Sequence, residues 1–393
     1  MLEINRSGKK YNSLFDIYIF IICTFPILTI IGNAFVNKVA FALLLILNVL
    51  LLFQNKVRKD TFLKLLFLMI HYVFVIIVTK FPIANVNLVA YFIFFIFYTY
   101  FIIDYQKRLI EWFKYNKKIM MILVILWSVI VGISIFLPSS YHFHKSGAYY
   151  FTSFTTTTFR LAPTAVFIQI IAIILQIFHK QKYAVFYSII PMYTYFMGSS
   201  RSYLVVGLFL FFISWYLFCD NKKVFNLSLI PIVIIMLFAI AETSIGTKIE
   251  YTLDEERYGD FWFKVSSSRS QLWTVALGSW LQTGFINKFF GNGLGFVYDL
   301  VGLWAHNDFI EILCSFGILG VLHYIYSIYY LFKNGKIDSQ IPWIISISIF
   351  FAWFFNAFFN MHYTYFCAML PFPFLVFAIK YCFSNEVIGD EKV

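Results

Sequence analysis

The sequence predicts an all-α polytopic membrane protein with about twelve transmembrane helices and a large outer loop between helices 9 and 10. First, 61% of the 393 residues are hydrophobic and only 12% are charged, whereas about a quarter of the residues in soluble domains are charged. Second, the mean hydropathy is +0.80. Third, apolar runs of about 17 to 25 residues, long enough to cross ~30 Å of hydrocarbon, recur from Leu14 to the C-terminus. We therefore expect one integral membrane domain over residues 1 to 393.

Polar breaks between the apolar runs define the twelve predicted spans. Their approximate bounds are 14 to 32, 37 to 53, 63 to 79, 88 to 104, 119 to 137, 161 to 178, 183 to 198, 203 to 218, 224 to 242, 308 to 332, 341 to 359 and 363 to 384. The first run follows Arg6, Lys9 and Lys10 and is too long for a signal peptide. We therefore expect it to remain as a membrane helix.

Basic residues define the predicted orientation. If the N-terminus is cytoplasmic, most of the 30 Lys and Arg residues fall in connections on the cytoplasmic side, as the positive-inside rule requires. Both termini are then cytoplasmic, and the net charge of +11 reflects this topology and contacts with anionic headgroups. The charge pattern is not typical of a nucleic-acid surface. The five cysteines show no C-x-x-C spacing and predict neither a disulfide framework nor a zinc site.

Two predicted outer segments, 138 to 160 and 243 to 307, are long enough to fold. In the larger one, SSSRSQLWTVALGSWL (266 to 281) begins with serine caps and predicts an amphipathic helix at the membrane surface, with Trp273 and Trp280 at headgroup depth. The stripe at helical spacing consists of Leu272, Val275, Ala276 and Ser279. FFGNGLGF follows, and outside a β-α-β unit its three glycines predict a plain turn.

Arginine is concentrated on the predicted outer side, where the positive-inside rule disfavours it. Four of the seven arginines lie there: Arg160, Arg201, Arg257 and Arg269. Because the guanidinium fork suits bidentate contacts with phosphate, this enrichment predicts a phosphorylated substrate on the outer face. The alternative is that individual arginines snorkel or pair with acids. Arg257 directly follows the acids at 254 to 256, which we interpret as an exposed charged loop, and is set aside for that reason.

The stretch AHNDFIEILCSFGILG, residues 305 to 320, places polar residues directly before an apolar helix. His306 lies beside the predicted helix N-terminus, where the positive end of the helix dipole favours the neutral imidazole that a general base needs. Asn307 is suited to orient either that ring or a substrate hydroxyl. Asp308 and Glu311 resemble a capping box, and capping is the preferred interpretation for both acids.

Other histidines are weaker candidates. His142 and His144 form an H-x-H pair with no evident third ligand, so we interpret them as part of a solvated loop. His71 lies mid-helix and is predicted to form hydrogen bonds inside the bundle. His362 follows Asn360 between the last two helices on the outer side and is a candidate for lining the site.

The motif around His306 resembles the signature of the bacterial Wzy-type O-antigen polymerases and the related O-antigen ligases. In that family a histidine is followed by Asn, Ser or Gln, then by nine residues and G-x-x-G. The matching residues here are His306, Asn307, Gly317 and Gly320. We expect both glycines on one helix face, where they let another helix pack closely. The segments FRLAPTAVFIQ, GSSRSYLVV, SRSQLW and GNGLG, and the twelve helices with a large outer loop, also resemble the family.

The resemblance implies an inverting glycosyl transfer on the periplasmic face of the bacterial inner membrane, with no metal and no cofactor. An acceptor hydroxyl would attack the anomeric carbon of a glycan carried on undecaprenyl diphosphate, with His306 as the general base. Asn307 and His362 would be weaker, glycan-binding residues. The implied partners are the undecaprenyl-diphosphate-linked oligosaccharide, membrane lipids and a chain-length regulator protein. The implied ligands of the diphosphate are Arg160, Arg201 and Arg269.

Three functions stay open at the level of sequence. A polymerase of lipid-linked repeat units is preferred, because the acidic pair after His306 and the short interval from GNGLG to that histidine are more similar to the polymerases. A ligase that transfers the polymer to lipid A-core uses the same machinery. A flippase or other transporter is less favoured, since transport pathways usually place ionisable groups deep inside helices, and the predicted spans contain few.

Overall fold

The protein is built almost entirely of α-helices. The structure, a computed structural model, describes residues 13–31, 34–54, 59–78, 86–143, 146–155, 157–253, 269–335 and 341–384. Within these ranges, seven helices are long and apolar enough to cross a membrane. Shorter apolar helices in the same ranges are Lys38–Gln54, Thr61–Ile77, Ala90–Asp104 and Trp343–Phe359. The prediction of an all-α, membrane-embedded protein is therefore confirmed.

The first half of the chain forms ten helices and one hairpin within the described residues. The helices are α1 Ser13–Ile31, α2 Ala34–Gln54, α3 Lys59–Val78, α4 Val86–Asp104, α5 Gln106–Tyr115, α6 Lys117–Ser134, α7 Thr158–His179, α8 Ile189–Met197, α9 Arg201–Phe218 and α10 Lys222–Ala241. The hairpin pairs β1, Tyr141–Phe143, with β2, Tyr149–Phe151, in antiparallel register.

The second half contains short helices followed by the long helices that close the bundle. They are α11 Ser244–Leu253, α12 Arg269–Gln282, α13 Phe285–Phe290, α14 Phe296–Val301, α15 Asp308–Asn334, α16 Trp343–Phe359, α17 Phe366–Met369 and α18 Phe372–Phe383. The N-termini of α7, α9 and α15 and the C-terminus of α16 lie at one end of the bundle, which we call the site end. The hairpin and α11 to α14 pack at this end.

Three of the predicted spans are not continuous α-helices, and one of them, 308 to 332, is broken at Gly317 as described below. The span predicted at 183 to 198 consists of a 3₁₀ segment, Lys182–Ser188, followed by α8. The span predicted at 363 to 384 is divided into a 3₁₀ turn, α17 and α18. Pro371 and Pro373 stand at the second break, and a proline lacks the N–H that a continuous helix would need there.

Helix α7 forms the centre of the bundle, since 89% of its apolar span is buried, whereas only 6% of the α10 span is buried. Its buried amides find partners in neighbouring helices. Gln169 accepts a hydrogen bond from the Tyr195 hydroxyl at 2.9 Å, and Gln176 accepts one from the Ser214 hydroxyl at 2.7 Å. The apolar surface of α10 therefore faces outward, as expected for contact with lipid.

Helix α15 is broken at Gly317, where the backbone adopts φ +69° and ψ −171°. The break leaves the carbonyls of Cys314 and Ser315 without their helical partners. The backbone N–H groups of Asn292 and Gly293 donate to these two carbonyls, each at 3.2 Å. The glycine-rich turn is thus a structural turn that binds the broken helix.

The two glycines of the G-x-x-G motif have different surroundings, which corrects the expectation of a shared packing face. A Cβ at Gly317 would lie 2.4 Å from the Phe289 carbonyl oxygen and 2.5 Å from the Gly291 nitrogen. A Cβ at Gly320 would instead lie 2.3 Å from Cβ of Phe316 in its own helix. Gly317 therefore permits close backbone contact with the α13 end, while Gly320 makes room for a side chain next to the kink.

Helix α12 packs on protein through a stripe that differs from the predicted one. Leu272 and Trp280 pack against a small buried cluster that includes Ala276, whereas Val275 is 47% exposed. Nε1 of Trp273 donates to the Ala305 carbonyl at 2.7 Å. Both tryptophans therefore make contacts within the protein, Trp280 with the buried cluster and Trp273 with Ala305. Their depth in the headgroup layer stays a prediction.

We expect Gly291→Ala to lower the midpoint of thermal unfolding in detergent micelles. Gly291 has φ +105°, and an added Cβ would lie 2.2 Å from the Ser315 carbonyl oxygen. With ψ at +161°, its backbone lies in a region essentially restricted to glycine, and this conformation alone costs an alanine roughly 1–3 kcal/mol. Gly278→Ala is the matched control, because Gly278 lies inside α12 with nothing within 4 Å of its Cβ position. Equal midpoints for the two variants would contradict the close contact at Gly291.

Candidate functional site

Four basic side chains from four different elements come together at the site end, and we call them the basic cluster. They are Arg201 at the start of α9, Lys248 in α11, Arg269 at the start of α12, and His306 just before α15. The charges of Arg201 and Arg269 both act on Lys248, and the charge of Arg269 acts on His306. All four side chains are half-buried. Such a concentration of positive charge favours an anionic ligand.

The turn before α9 holds Lys248 in the basic cluster. Ser199 has φ +53°, and its carbonyl accepts a hydrogen bond from Nζ of Lys248 at 3.0 Å. Its hydroxyl donates to the Ser244 carbonyl at 3.2 Å, and the Ser244 hydroxyl donates to the Tyr149 carbonyl at 2.8 Å. Nζ of Lys248 also lies 5.2 Å from the ring centroid of Tyr150. The hairpin, the turn and α11 are therefore joined around the lysine.

A buried polar network connects the start of α9 to the end of α16. The Ser202 hydroxyl donates to Oδ1 of Asn360 at 3.0 Å, and Nδ2 of Asn360 donates to Oδ1 of Asn356 at 3.3 Å. Nδ2 of Asn356 then lies 2.6 Å from Nδ1 of His362. The network fixes the residue next to Arg201.

His362 belongs to this network and is 1% exposed. Its ring packs edge-on against Phe95 and Phe372, and burial lowers its pKa to about 3. The imidazole is therefore neutral at ordinary pH and supports the wall of the site from inside. This placement gives no support to the predicted contact between His362 and a glycan.

Arg269 is attached to the same end of α16. Nη1 of its guanidinium donates to the Phe359 carbonyl. One helical turn further, the Trp273 ring packs edge-on against Phe358, with centroids 5.5 Å apart. Because Trp273 also donates to the Ala305 carbonyl, α12 connects the end of α16 to the residue before His306.

The backbone around His306 is held in an unusual conformation. His306 has φ +50°, in the left-handed region that residues other than glycine rarely adopt. The preceding residue, Ala305, is fixed on both sides, since its carbonyl accepts from Trp273 and its N–H donates to Oε2 of Glu311 at 3.1 Å. These contacts hold His306 beside the other members of the basic cluster, at the cost of local backbone strain.

The helix cap differs from the predicted capping box. Asn307 is the N-cap of α15, and its Oδ1 accepts from the Ile310 N–H at 3.1 Å. Asp308 accepts a 2.5 Å hydrogen bond from the Tyr324 hydroxyl. Oε2 of Glu311 accepts a hydrogen bond from the Ala305 N–H in the preceding loop. Both acids still lie in the first turn of α15, and both are buried there.

Asn307 is fully buried, and the predicted glycan contact is not supported by this position. Its Oδ1 is used by the cap, and its Nδ2 has no hydrogen-bond partner among the described residues. Asn307 therefore fixes the start of α15 directly after His306.

Burial and mutual repulsion shift the pKa values within the basic cluster. Burial, with the charge of Arg269 as a second cause, lowers the pKa of His306 to about 4. Burial and the charges of Arg201 and Arg269 lower the pKa of Lys248 to about 8. For Arg269 itself, burial is the largest cause of a pKa lowered to about 10. His306 is therefore a neutral imidazole beside cations, and it has the protonation state of a general base.

Arg160 occupies a different place from the other predicted arginines. It is exposed and lines a cavity of about 320 Å³, together with Lys38 and Tyr365. No described contact joins Arg160 to Arg201 or Arg269. The structure thus brings together two of the three arginines that were predicted to bind one diphosphate.

Several residues named from the sequence are not part of this site. His142 lies exposed on β1, and His71 lies beside the Phe290 carbonyl at 3.1 Å. No group of three or more potential metal ligands occurs in the part of the chain that the structure describes. Outside the described residues lie His144, Asp254, Glu255, Glu256, Arg257 and the serines at 266 to 268.

Lys248 is the member of the basic cluster that sequence reasoning missed. It lies in the same outer segment as Arg269, so the positive-inside argument that selected the arginines applies to it equally. The argument from the guanidinium fork selects arginines and therefore leaves this lysine out. Comparison with protein-family models and with curated proteins finds no match to this chain.

We expect the His306 ring to titrate near pH 4 rather than at its ordinary 6.5. Histidine-labelled protein in micelles, with the signal assigned by comparison with His306→Gln, allows the titration to be followed by NMR. Arg269→Gln should raise the pKa of His306, because a repelling charge is removed while burial remains. Arg108→Gln in α5 is the charge-matched control and should leave the titration unchanged. A wild-type titration near 6.5 would rule out the cluster geometry.

Proposed function

We propose that this protein is a glycosyltransferase of the Wzy-type O-antigen polymerase class, acting on glycans carried by undecaprenyl diphosphate. The observation that carries the proposal is the meeting of a neutral histidine with three cationic side chains at one end of a membrane-embedded bundle. A general base beside a diphosphate-binding group is the pair that inverting transfer from a lipid diphosphate requires. The match to the histidine motif of that family supports the same assignment.

In the proposed reaction, His306 accepts the proton of an acceptor hydroxyl as its oxygen bonds to the anomeric carbon of the donor sugar. The bond from that carbon to the diphosphate oxygen breaks on the opposite face, and the electron pair leaves with the lipid diphosphate. Arg201, Arg269 and Lys248 hold the leaving group and stabilise its growing charge. Metal is not needed for this step, and the protein's own cations supply the charge.

Substrate binding also tunes the base. In the free protein Arg269 opposes protonation of His306. A diphosphate bound to Arg269 offsets that positive charge, so the pKa of His306 rises when the donor is in place. The histidine thus becomes a stronger base in the complex than in the free protein.

The finer topology belongs to the same proposal. We place the chain in the bacterial inner membrane with twelve spans, both termini in the cytoplasm and the site end in the periplasm. Lys and Arg residues are concentrated in every second loop along the sequence, and this pattern supports the orientation. Membrane lipids and a chain-length regulator protein are proposed partners, and neither a cofactor nor a nucleic acid is expected.

Two alternative functions stay open. A ligase that passes polymer to lipid A-core would use the same basic cluster. A flippase is favoured by one structural feature, because His71 and His323 stack inside the bundle with centroids 5.7 Å apart, and ionisable groups in that position can mark transport pathways. In liposomes, translocation of a lipid-linked glycan without new glycosidic bonds would replace the transferase proposal.

The lipopolysaccharide of a strain lacking this gene separates polymerase from ligase on a gel. A core carrying a single repeat unit, restored to a ladder by the gene, supports the polymerase. A bare core, with long polymer retained on the carrier lipid, would establish the ligase instead.

We expect His306→Ala to lower the rate of glycosidic bond formation by roughly 100 to 10,000-fold, because the general base is lost. Arg201→Lys and Arg269→Lys should also impair transfer, since lysine lacks the planar fork. The measurement is polymer formation in the complemented strain, with membrane insertion checked by immunoblot. Lys118→Ala is the control and should keep activity, because Lys118 is an exposed lysine at the start of α6 and is not part of the basic cluster. Normal polymer from His306→Ala would refute the base assignment.

We expect the affinity for farnesyl diphosphate to fall as the pH rises above about 8. Lys248 loses its proton in that range, whereas the phosphates of the probe are already fully ionised. The loss of one proton from Lys248 can lower the affinity by at most about tenfold per pH unit. Lys248→Arg stays charged, and its affinity should be flat between about pH 8 and pH 9. A wild-type affinity that does not change with pH would remove Lys248 from the diphosphate site.

A further inference from the structure

A second cationic cavity lies beside the basic cluster. Its volume is about 320 Å³, and it is formed by the end of α1, the starts of α2, α4 and α7, and the turn before α17. Lys38 and Arg160 supply two positive side chains. Both are exposed, and neither forms an ion pair with any acid in the described part of the chain. Two cations in one cavity, without an acid beside them among the described residues, favour a multiply charged anion.

Aromatic rings form much of the remaining wall of the cavity, and the rest of the lining is Thr29, Pro163, Thr364 and Cys367. Phe366 stacks on Phe41 with ring centroids 4.7 Å apart, and Tyr91 meets Phe366 edge-on at 4.9 Å. Phe41 and Tyr91 also contact each other edge-on at 5.3 Å. Packed rings provide a rigid apolar surface next to the two cations. A ligand that combines phosphate with a hydrocarbon chain matches both parts of this lining, whereas inorganic phosphate matches only one.

Tyr365 separates the cavity from the basic cluster. It lines the cavity next to Arg160, and its ring meets Tyr203 edge-on at 6.4 Å on the other side. Tyr365 also interacts electrostatically with Arg269. The two cationic sites are therefore neighbours that share Tyr365 as a common wall.

We propose that the cavity of Lys38 and Arg160 binds the diphosphate and the first isoprene units of a second lipid-linked substrate, the acceptor. This inference rests on the proposed glycosyl transfer and deepens it, because a polymerase joins two units that each carry a polyprenyl diphosphate. The basic cluster holds the diphosphate that leaves, and the cavity holds the diphosphate that stays attached. Arg160 thereby has a role distinct from that of Arg201 and Arg269.

The test is the stoichiometry of farnesyl diphosphate on the purified full-length protein, measured by native mass spectrometry. The wild type should bind two molecules. Lys38→Ala/Arg160→Ala should bind one, and Lys38→Arg/Arg160→Lys, which keeps both charges, should bind two. Arg201→Ala/Arg269→Ala should also bind one. Lys107→Ala/Lys118→Ala removes two exposed bases remote from both sites and should still bind two.

The outcomes separate this inference from the proposed function. If the wild type binds one molecule, Lys38→Ala/Arg160→Ala still binds it and Arg201→Ala/Arg269→Ala does not, the second site is overturned. The transferase proposal is then left intact. Two molecules on Arg201→Ala/Arg269→Ala overturn the proposed donor site instead. Inorganic pyrophosphate or farnesol filling the cavity as well as farnesyl diphosphate would show a free-anion site or a plain apolar groove, and either overturns the lipid diphosphate as its ligand.

Discussion

The C-terminal end of α16 is the attachment point on which the whole site depends. Asn360 receives the Ser202 hydroxyl from the start of α9, and the Phe359 carbonyl receives the guanidinium of Arg269 from the start of α12. A helix end has carbonyls without helical partners, and here one of them is satisfied by a side chain of the site. The two arginines are thereby brought together, although 68 positions of the sequence separate 201 from 269.

A second constraint comes from backbone that packs directly against backbone. Gly317 breaks α15, and the turn after α13 satisfies the carbonyls that the break exposes. The part of α15 before the break is then free to take the direction that places Asn307 and Glu311 behind His306. Strain at His306 is tolerated because Ala305 is held by Trp273 and Glu311. Rigid support of this kind keeps a reactive side chain in one orientation.

The basic cluster is electrostatically costly in the free protein. Each of its members is partly removed from water and repelled by a neighbouring cation, and both effects lower the pKa of Lys248 and His306. An anion that binds between them relieves the repulsion. In the proposed reaction, this relief of repulsion favours highly charged ligands, and the same binding event would strengthen His306 as a base.

The sequence by itself determined the membrane setting and the helical class, because hydropathy and the alternation of basic loops can be read along the chain. It also identified His306, Arg201 and Arg269 as candidate site residues, from a local motif and from the excess of arginine on the outer side. Tertiary structure decided the rest. Lys248 is held in the basic cluster by its hydrogen bond to the carbonyl of Ser199. Arg160 lies instead in a cavity with Lys38, which is distant in the sequence. Asn307 is buried as the cap that accepts from the Ile310 N–H, and His362 is buried beside the amide of Asn356 in α16. Spacing along a chain fixes neither the direction of a side chain nor the partner that a buried polar group must find, and only packing in three dimensions supplies both.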